Sequence, residues 1–192
     1  MPKEKLPTGI DSFYKIRSES YYYIDKTALI EQVIESGTEV ILFTRPRRFG
    51  KSLNMSMLQY FFKINTNASL FDDLYISCNV KLCEDYLGKY PVISINLKGV
   101  EANSYQLAKA QLIRIINHEA RRFEFLLENN SLSDVYKTLF LELLDKNMDE
   151  ATLANSLLEL TELLKIYYRK EVIILIDEYD VPFSQGLRER LL

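Results

Sequence analysis

The chain has 192 residues, enough for a domain with a sizeable core, and its 47% apolar and 27% charged residues with a net charge of −3 are ordinary values for a globular protein. That balance argues against a chain that wraps nucleic acid or coats an acidic membrane. No apolar run approaches the ~20 residues needed to cross a bilayer, and the charged start Met1-Pro2-Lys3-Glu4-Lys5 leads into no apolar stretch of the signal-peptide kind, so the chain reads as cytoplasmic.

In chain order, Tyr21 to Ile24 reads as a short extended piece. Asp25 suits the N-cap of a helix running to about Ser36, with Gly37 just past its end. Residues 39–44 (Glu-Val-Ile-Leu-Phe-Thr) form a short β-rich apolar run bounded by turn residues, which predicts a buried strand. A helix is expected from Lys51 to Phe62, with Leu53, Met57, Leu58, Phe61 and Phe62 as its apolar stripe. The two cysteines, Cys78 and Cys83, are too few for a zinc site and read as free thiols.

Pro91 to Leu97 predicts a second strand. Three helical stretches follow, at 104–128, 133–146 and 149–168, the first with Leu107, Ala108, Ile115, Ile116 and Phe123 as inward candidates. Glu171 to Ile176 predicts a third strand, apolar almost throughout, as strands covered on both faces are. Strands alternating with helices predict an α/β fold with a parallel sheet flanked by helices. Without an internal linker, residues 1–192 read as part of one domain, with 1–38 an N-terminal extension and helix and 39–182 the core.

Two motifs carry chemistry. Arg45-Pro46-Arg47-Arg48-Phe49-Gly50-Lys51-Ser52 lies between a predicted strand and a predicted helix. A helix N-terminus offers N–H groups and partial positive charge to an anion. Gly50 lets the backbone approach it, Lys51 would reach the β- and γ-phosphates, and the Ser52 hydroxyl would coordinate Mg²⁺. The match to G-x-x-x-x-G-K-[ST] is incomplete, because Arg45 stands where the first glycine belongs and Pro46 has no N–H. Arg45, Arg47 and Arg48 could supply side-chain donors in place of the lost backbone donors, or contact nucleic acid. The bland alternative is a basic turn with a coincidental Gly-Lys-Ser.

The other motif is Val172 to Asp180, an apolar strand ending in Asp177-Glu178. Ligands of open parallel sheets sit beyond the carboxyl ends of the strands. Asp177 would hold Mg²⁺ there, and Glu178 would orient or deprotonate an attacking water. The alternative is a strand ending in solvated acids. His118, the lone histidine, sits mid-helix and reads as structural or surface.

On these residues the chain resembles the bacterial AAA-ATPase-like family. The matching stretches are Tyr21 to Thr27, Leu42 to Leu58 with its Arg-Pro-Arg-Arg-Phe-Gly-Lys-Ser loop, Gly88 to Ile93, and Val172 to Asp180, and the resemblance spans about Leu6 to Pro182. It implies a P-loop nucleotide-binding fold in which Arg45 is an accepted family variant. It also implies that members continue past the acidic strand with a further strand and often a PD-(D/E)XK-type nuclease domain. The chain is therefore expected to be a truncated portion, lacking strands after the acidic one and weak or inactive in turnover by itself. Three functions compete: an ATP- and Mg²⁺-dependent ATPase coupled to a partner or nuclease-like domain, a nucleotide-binding scaffold or oligomerisation module without turnover, and a nucleic-acid binder using the arginine loop. Glu178 favours the first, since binding alone needs no base.

Overall fold

In a computed structural model that describes residues 5–44, 49–100, 104–128 and 132–180, the chain divides into two units, Met1–Val92 and Ile93–Leu192. Ser12 opens the first unit's helix α1 (Phe13–Ser18) by accepting the Lys15 N–H at 3.3 Å. Helix α2 spans Ala28–Glu35 and α3 spans Lys51–Phe62, followed by 3₁₀ turns at Ala68–Phe71 and Tyr75–Cys78 and by α4 (Val80–Tyr86). Its core is aromatic. Phe13 meets Phe71 at 5.0 Å and Tyr23 at 5.4 Å between ring centroids, and Phe61 meets Phe71 edge-on at 5.3 Å. Pairs of this geometry add ~0.5–1.5 kcal/mol beyond the area they bury. Arg17 ties α1 to the first 3₁₀ turn by donating to the carbonyls of Leu70 (2.8 Å) and Asp72 (2.7 Å).

The cap of helix α2 falls two residues after the expected one. Thr27 is its N-cap without a side-chain cap bond, and Asp25 instead closes a turn ahead of the helix by accepting from the Thr27 N–H and hydroxyl. Gly37, at φ 58°, follows the helix in the left-handed region as expected.

Residues 39–44 are not the buried strand that their composition predicts. Val40 is 87% and Leu42 63% exposed, and the segment has no ladder among the described residues. Apolar β-rich composition nominates a strand, but only pairing with a neighbour makes one.

Strand β1 (Val92–Asn96) leads into the second unit. Among the described residues the helical elements of that unit lie between β1 and β2 (Ile173–Asp177), as expected: 3₁₀ turns at Leu97–Gly99 and Glu124–Glu128, α5 (Tyr105–Arg121), α6 (Asp134–Leu144) and α7 (Glu150–Tyr168). The three α-helices pack on one another around Ile116, Phe140, Leu143, Leu160 and Leu163. Each such side chain contributes ~1.5–3 kcal/mol by burial. Helix α7 is fixed at both ends. Asp149 accepts the Thr152 N–H at 2.7 Å, and Arg169 takes a left-handed cap conformation with φ 52°. Helix α5 buries Ile113, Ile116 and Ala120 at helical spacing, while Leu107 in its first turn is 50% exposed, not inward.

The strands β1 and β2 form a parallel two-stranded sheet flanked by helices, so the fold is α/β. β2 is not covered on both faces. Leu175 and Asp177 are buried while Ile174 and Ile176 are 41% and 39% exposed, the alternation of a sheet with one covered face.

Candidate functional site

The N-terminus of α3 lies where the sequence places it. Gly50 is the N-cap, at φ 74° and ψ 23°, and its carbonyl accepts the first helical bond from the Asn54 N–H at 2.9 Å. Among the described residues, a β-carbon at Gly50 would meet only the Lys26 ammonium nitrogen, at 3.8 Å, an ordinary contact. Backbone conformation therefore demands glycine here, not crowding. Gly50 has no side chain with which to cap the helix, and the positive end of the helix dipole lies at Lys51 and Ser52. Both residues are half-buried and Phe49 is 61% exposed. Arg45, Pro46, Arg47 and Arg48 lie outside the described residues.

Packing fixes the direction of α3. Met57, Leu58, Phe61 and Phe62 are buried with Asn54, while Leu53 is only half-buried. The Phe13 N–H donates to Ser56 Oγ at 3.0 Å, and the Tyr23 hydroxyl donates to Met57 Sδ at 3.3 Å. Burial pushes the Tyr23 hydroxyl up to about 12, so it stays a donor across the physiological range.

Beside this helix end lies a polar network that sequence reasoning missed. Asp25 Oδ1 accepts from the Thr27 N–H (2.8 Å) and hydroxyl (2.7 Å), and Oδ2 accepts from the Tyr75 N–H (2.6 Å). Thr27 is fully buried, and its Oγ1 accepts the Ile76 N–H at 3.1 Å. Glu31 accepts from the Tyr75 hydroxyl at 2.7 Å and from Asn79 Nδ2 at 2.9 Å. The one signal that could have found it is the Asp25-Lys26-Thr27 run within the family-like stretch.

In the second unit, β2 ends at Asp177, which is only 6% exposed, and its Oδ1 accepts the Glu178 N–H at 3.0 Å. Glu178 is left-handed at φ 55°. That conformation costs a side-chain-bearing residue roughly 1–2 kcal/mol, and such strain concentrates at functional turns. Asp180 is exposed. No group of three or more His, Cys, Asp or Glu side chains able to hold a metal occurs among the described residues. Mg²⁺ does not require one, since it binds through one or two carboxylates together with substrate phosphates and water. Ser52 and a buried Asp177 are donors of that hard-oxygen kind. Gly50, Lys51 and Ser52 belong to the first unit, and Asp177 and Glu178 to the second.

Other features offer less. A cavity of about 520 Å³ in the second unit is lined mainly by apolar side chains such as Ile95, Leu112, Ile115 and Ile176, which suits no triphosphate. His118 is exposed. Cys78 and Cys83 are free thiols, and burial raises the pKa of the Cys83 thiol, the reverse of activation. No helix among the described residues is long and apolar enough to cross a membrane.

The AAA-ATPase-like family, described as "Predicted AAA-ATPase", matches residues 7–191, past the Pro182 limit that the sequence reading set. An "uncharacterized protein in vnfD 5′ region" from Azotobacter chroococcum mcd 1 is similar to the chain, 31% identical over 190 residues. The aligned region covers 97% of this chain and 31% of that protein, so the chain spans about a third of its relative's length. No solved structure matches the chain.

Proposed function

The chain belongs to the AAA-ATPase-like family, and from that premise we propose that it binds ATP with Mg²⁺ on a P-loop-type α/β fold and contributes the residues for hydrolysis. The observation that carries this reading is the start of α3: left-handed Gly50 as an N-cap without a side chain, then Lys51 and Ser52 on the first turn. A glycine-started helix whose first turn carries a lysine and a hydroxyl matches the chemistry of a phosphate group.

Lys51 would neutralise the β- and γ-phosphate oxygens, and Phe49, Gly50 and the arginines 45, 47 and 48, with Pro46, would complete the loop. Ser52 and Asp177 would hold Mg²⁺, which supplies charge neutralisation on the phosphate oxygens when bound. Glu178 would accept a hydrogen bond from the attacking water and take its proton, the left-handed turn setting where its carboxylate projects. In the whole protein, hydrolysis would serve a partner or nuclease-like domain. Residues 39–182 as the nucleotide-binding core, with 1–38 as an extension before it, belong to this same proposal.

The test is ATP binding and hydrolysis with and without Mg²⁺ on the unaltered chain, Lys51→Ala and Glu178→Gln. Lys51→Ala should lose binding. Glu178→Gln should keep binding and lose turnover wherever turnover is measurable. ATP affinity unchanged in Lys51→Ala would overturn the reading.

A further inference from the structure

Lys26 stands in the family-like stretch Tyr21 to Thr27, to which the reading above gives no task. Its ammonium lies at the N-cap of α3, 3.8 Å from where a Gly50 β-carbon would sit. Its position is set from both sides. Asp25 and Thr27, its chain neighbours, are bonded to the N–H groups of Tyr75 and Ile76, with Thr27 fully buried. Upstream, Tyr23 is bonded to Met57 within α3 itself. The Lys26 carbonyl accepts the Leu29 N–H at 3.0 Å, which fixes the backbone of the turn.

The charge is on the wrong end of a helix for stability. A cation is favoured at a helix C-terminus and disfavoured at the N-terminus, where the dipole is already positive. A carboxylate could neutralise it, and Asp25 is next in the chain. Yet Asp25 is engaged by Thr27 and Tyr75, and the cation whose charge acts on its carboxylate is Arg17, not Lys26. No ion pair among the described residues includes Lys26. The ammonium of a half-buried lysine, on a braced turn and beside a helix start that also carries Lys51, is arranged for an anion that arrives from outside.

We propose that Lys26 is a phosphate-contacting residue of this site, its ammonium donating to the phosphate chain of the bound nucleoside triphosphate beside Gly50. The inference rests on the phosphate-loop reading of Gly50-Lys51-Ser52. The Asp25–Thr27–Tyr75 network is then the brace that holds Lys26 against the repulsion of the helix dipole in the unliganded protein.

The experiment is calorimetric titration of the full chain with Mg²⁺·ATP and, separately, with tripolyphosphate, for Lys26→Gln, Lys26→Arg and Lys51→Ala, together with the thermal midpoint of each unliganded protein. Lys26→Gln should weaken both ligands about tenfold or more, the size of a lost charge-assisted bond. The factor should be the same for both ligands, because the contact is to phosphate and not to base. Lys26→Arg should restore most of the loss. The unliganded midpoint of Lys26→Gln should be unchanged or raised, since a repulsive charge has gone. If Lys51→Ala abolishes binding while Lys26→Gln binds as the unaltered chain does, this inference fails and the phosphate-loop reading stands. If the unaltered chain binds neither ligand, both fail. A midpoint that falls in Lys26→Gln in step with affinity, with no rescue by arginine, would make Lys26 a structural brace and overturn the proposal.

Discussion

Replacing Thr27 by valine keeps the side-chain volume and removes one hydroxyl. That hydroxyl donates to Asp25 Oδ1 at 2.7 Å, its oxygen accepts the Ile76 N–H at 3.1 Å, and the residue is fully buried. Losing a hydrogen bond to a charged acceptor costs ~1.5–3 kcal/mol, and orphaning a buried N–H costs ~1–3 kcal/mol. Asp25 retains its bonds from the Thr27 and Tyr75 N–H groups, so the two losses overlap and ~2–4 kcal/mol is expected for Thr27→Val. Thr27→Ser makes the opposite cut. It keeps the hydroxyl and drops a methyl, worth ~1 kcal/mol. The chain has no tryptophan, so urea unfolding followed by far-ultraviolet circular dichroism is the assay. Valine should destabilise more than serine. The reverse order would mean that methyl packing, not the hydrogen-bond network, holds this turn, and the brace assigned to Lys26 would lose its basis.

Acid should act through Asp25. Burial pushes its carboxyl up, but the hydrogen bonds from Tyr75 and Thr27 outweigh that and hold it below the ordinary 3.8. With the folded value below the unfolded one, its stabilisation is complete above the unfolded value and is lost as pH falls through the folded value. The acid limb of a stability–pH curve should therefore be shallower in Asp25→Asn. Gly50→Ala should cost ~1 kcal/mol from the left-handed backbone alone, with Gly50→Asn cheaper, as urea unfolding would show. Equal costs for the two would point to crowding instead. Glu119 is 4% exposed, accepts the Ser94 N–H of β1 at 2.7 Å and pairs with Arg122. Glu119→Ala should lose ~1–3 kcal/mol by stranding that N–H, while Glu119→Gln, which keeps an acceptor oxygen, should lose less in the same unfolding assay.

How much the sequence revealed follows from how local each signal is. Helix α3 begins and ends at the expected residues, Lys51 and Phe62, because its glycine cap and apolar stripe are encoded within one stretch of chain. β1 is shorter than expected by one residue at each end, and the acidic pair falls at the end of β2 as read. Residues 39–44 were misread because strand formation is decided by a partner elsewhere. The Asp25–Thr27 network was illegible for the same reason, since its donors lie 50 and 49 residues away at Tyr75 and Ile76. Glu178 carried the right residue type for a base, but its left-handed backbone left no mark in the sequence. The nearness of Lys26 to Gly50 depends on how a turn and a helix come together, which no motif records.

The uncovered stretch Val40-Ile41-Leu42-Phe43 bears on how the protein behaves at high concentration. Three of its four side chains are exposed, and nothing in this run of four breaks the apolar sequence with a charge or a proline. Short segments of that composition are where identical chains stack edge to edge. At high concentration, association of identical chains is expected to start at this segment, whichever residues govern thermodynamic stability elsewhere.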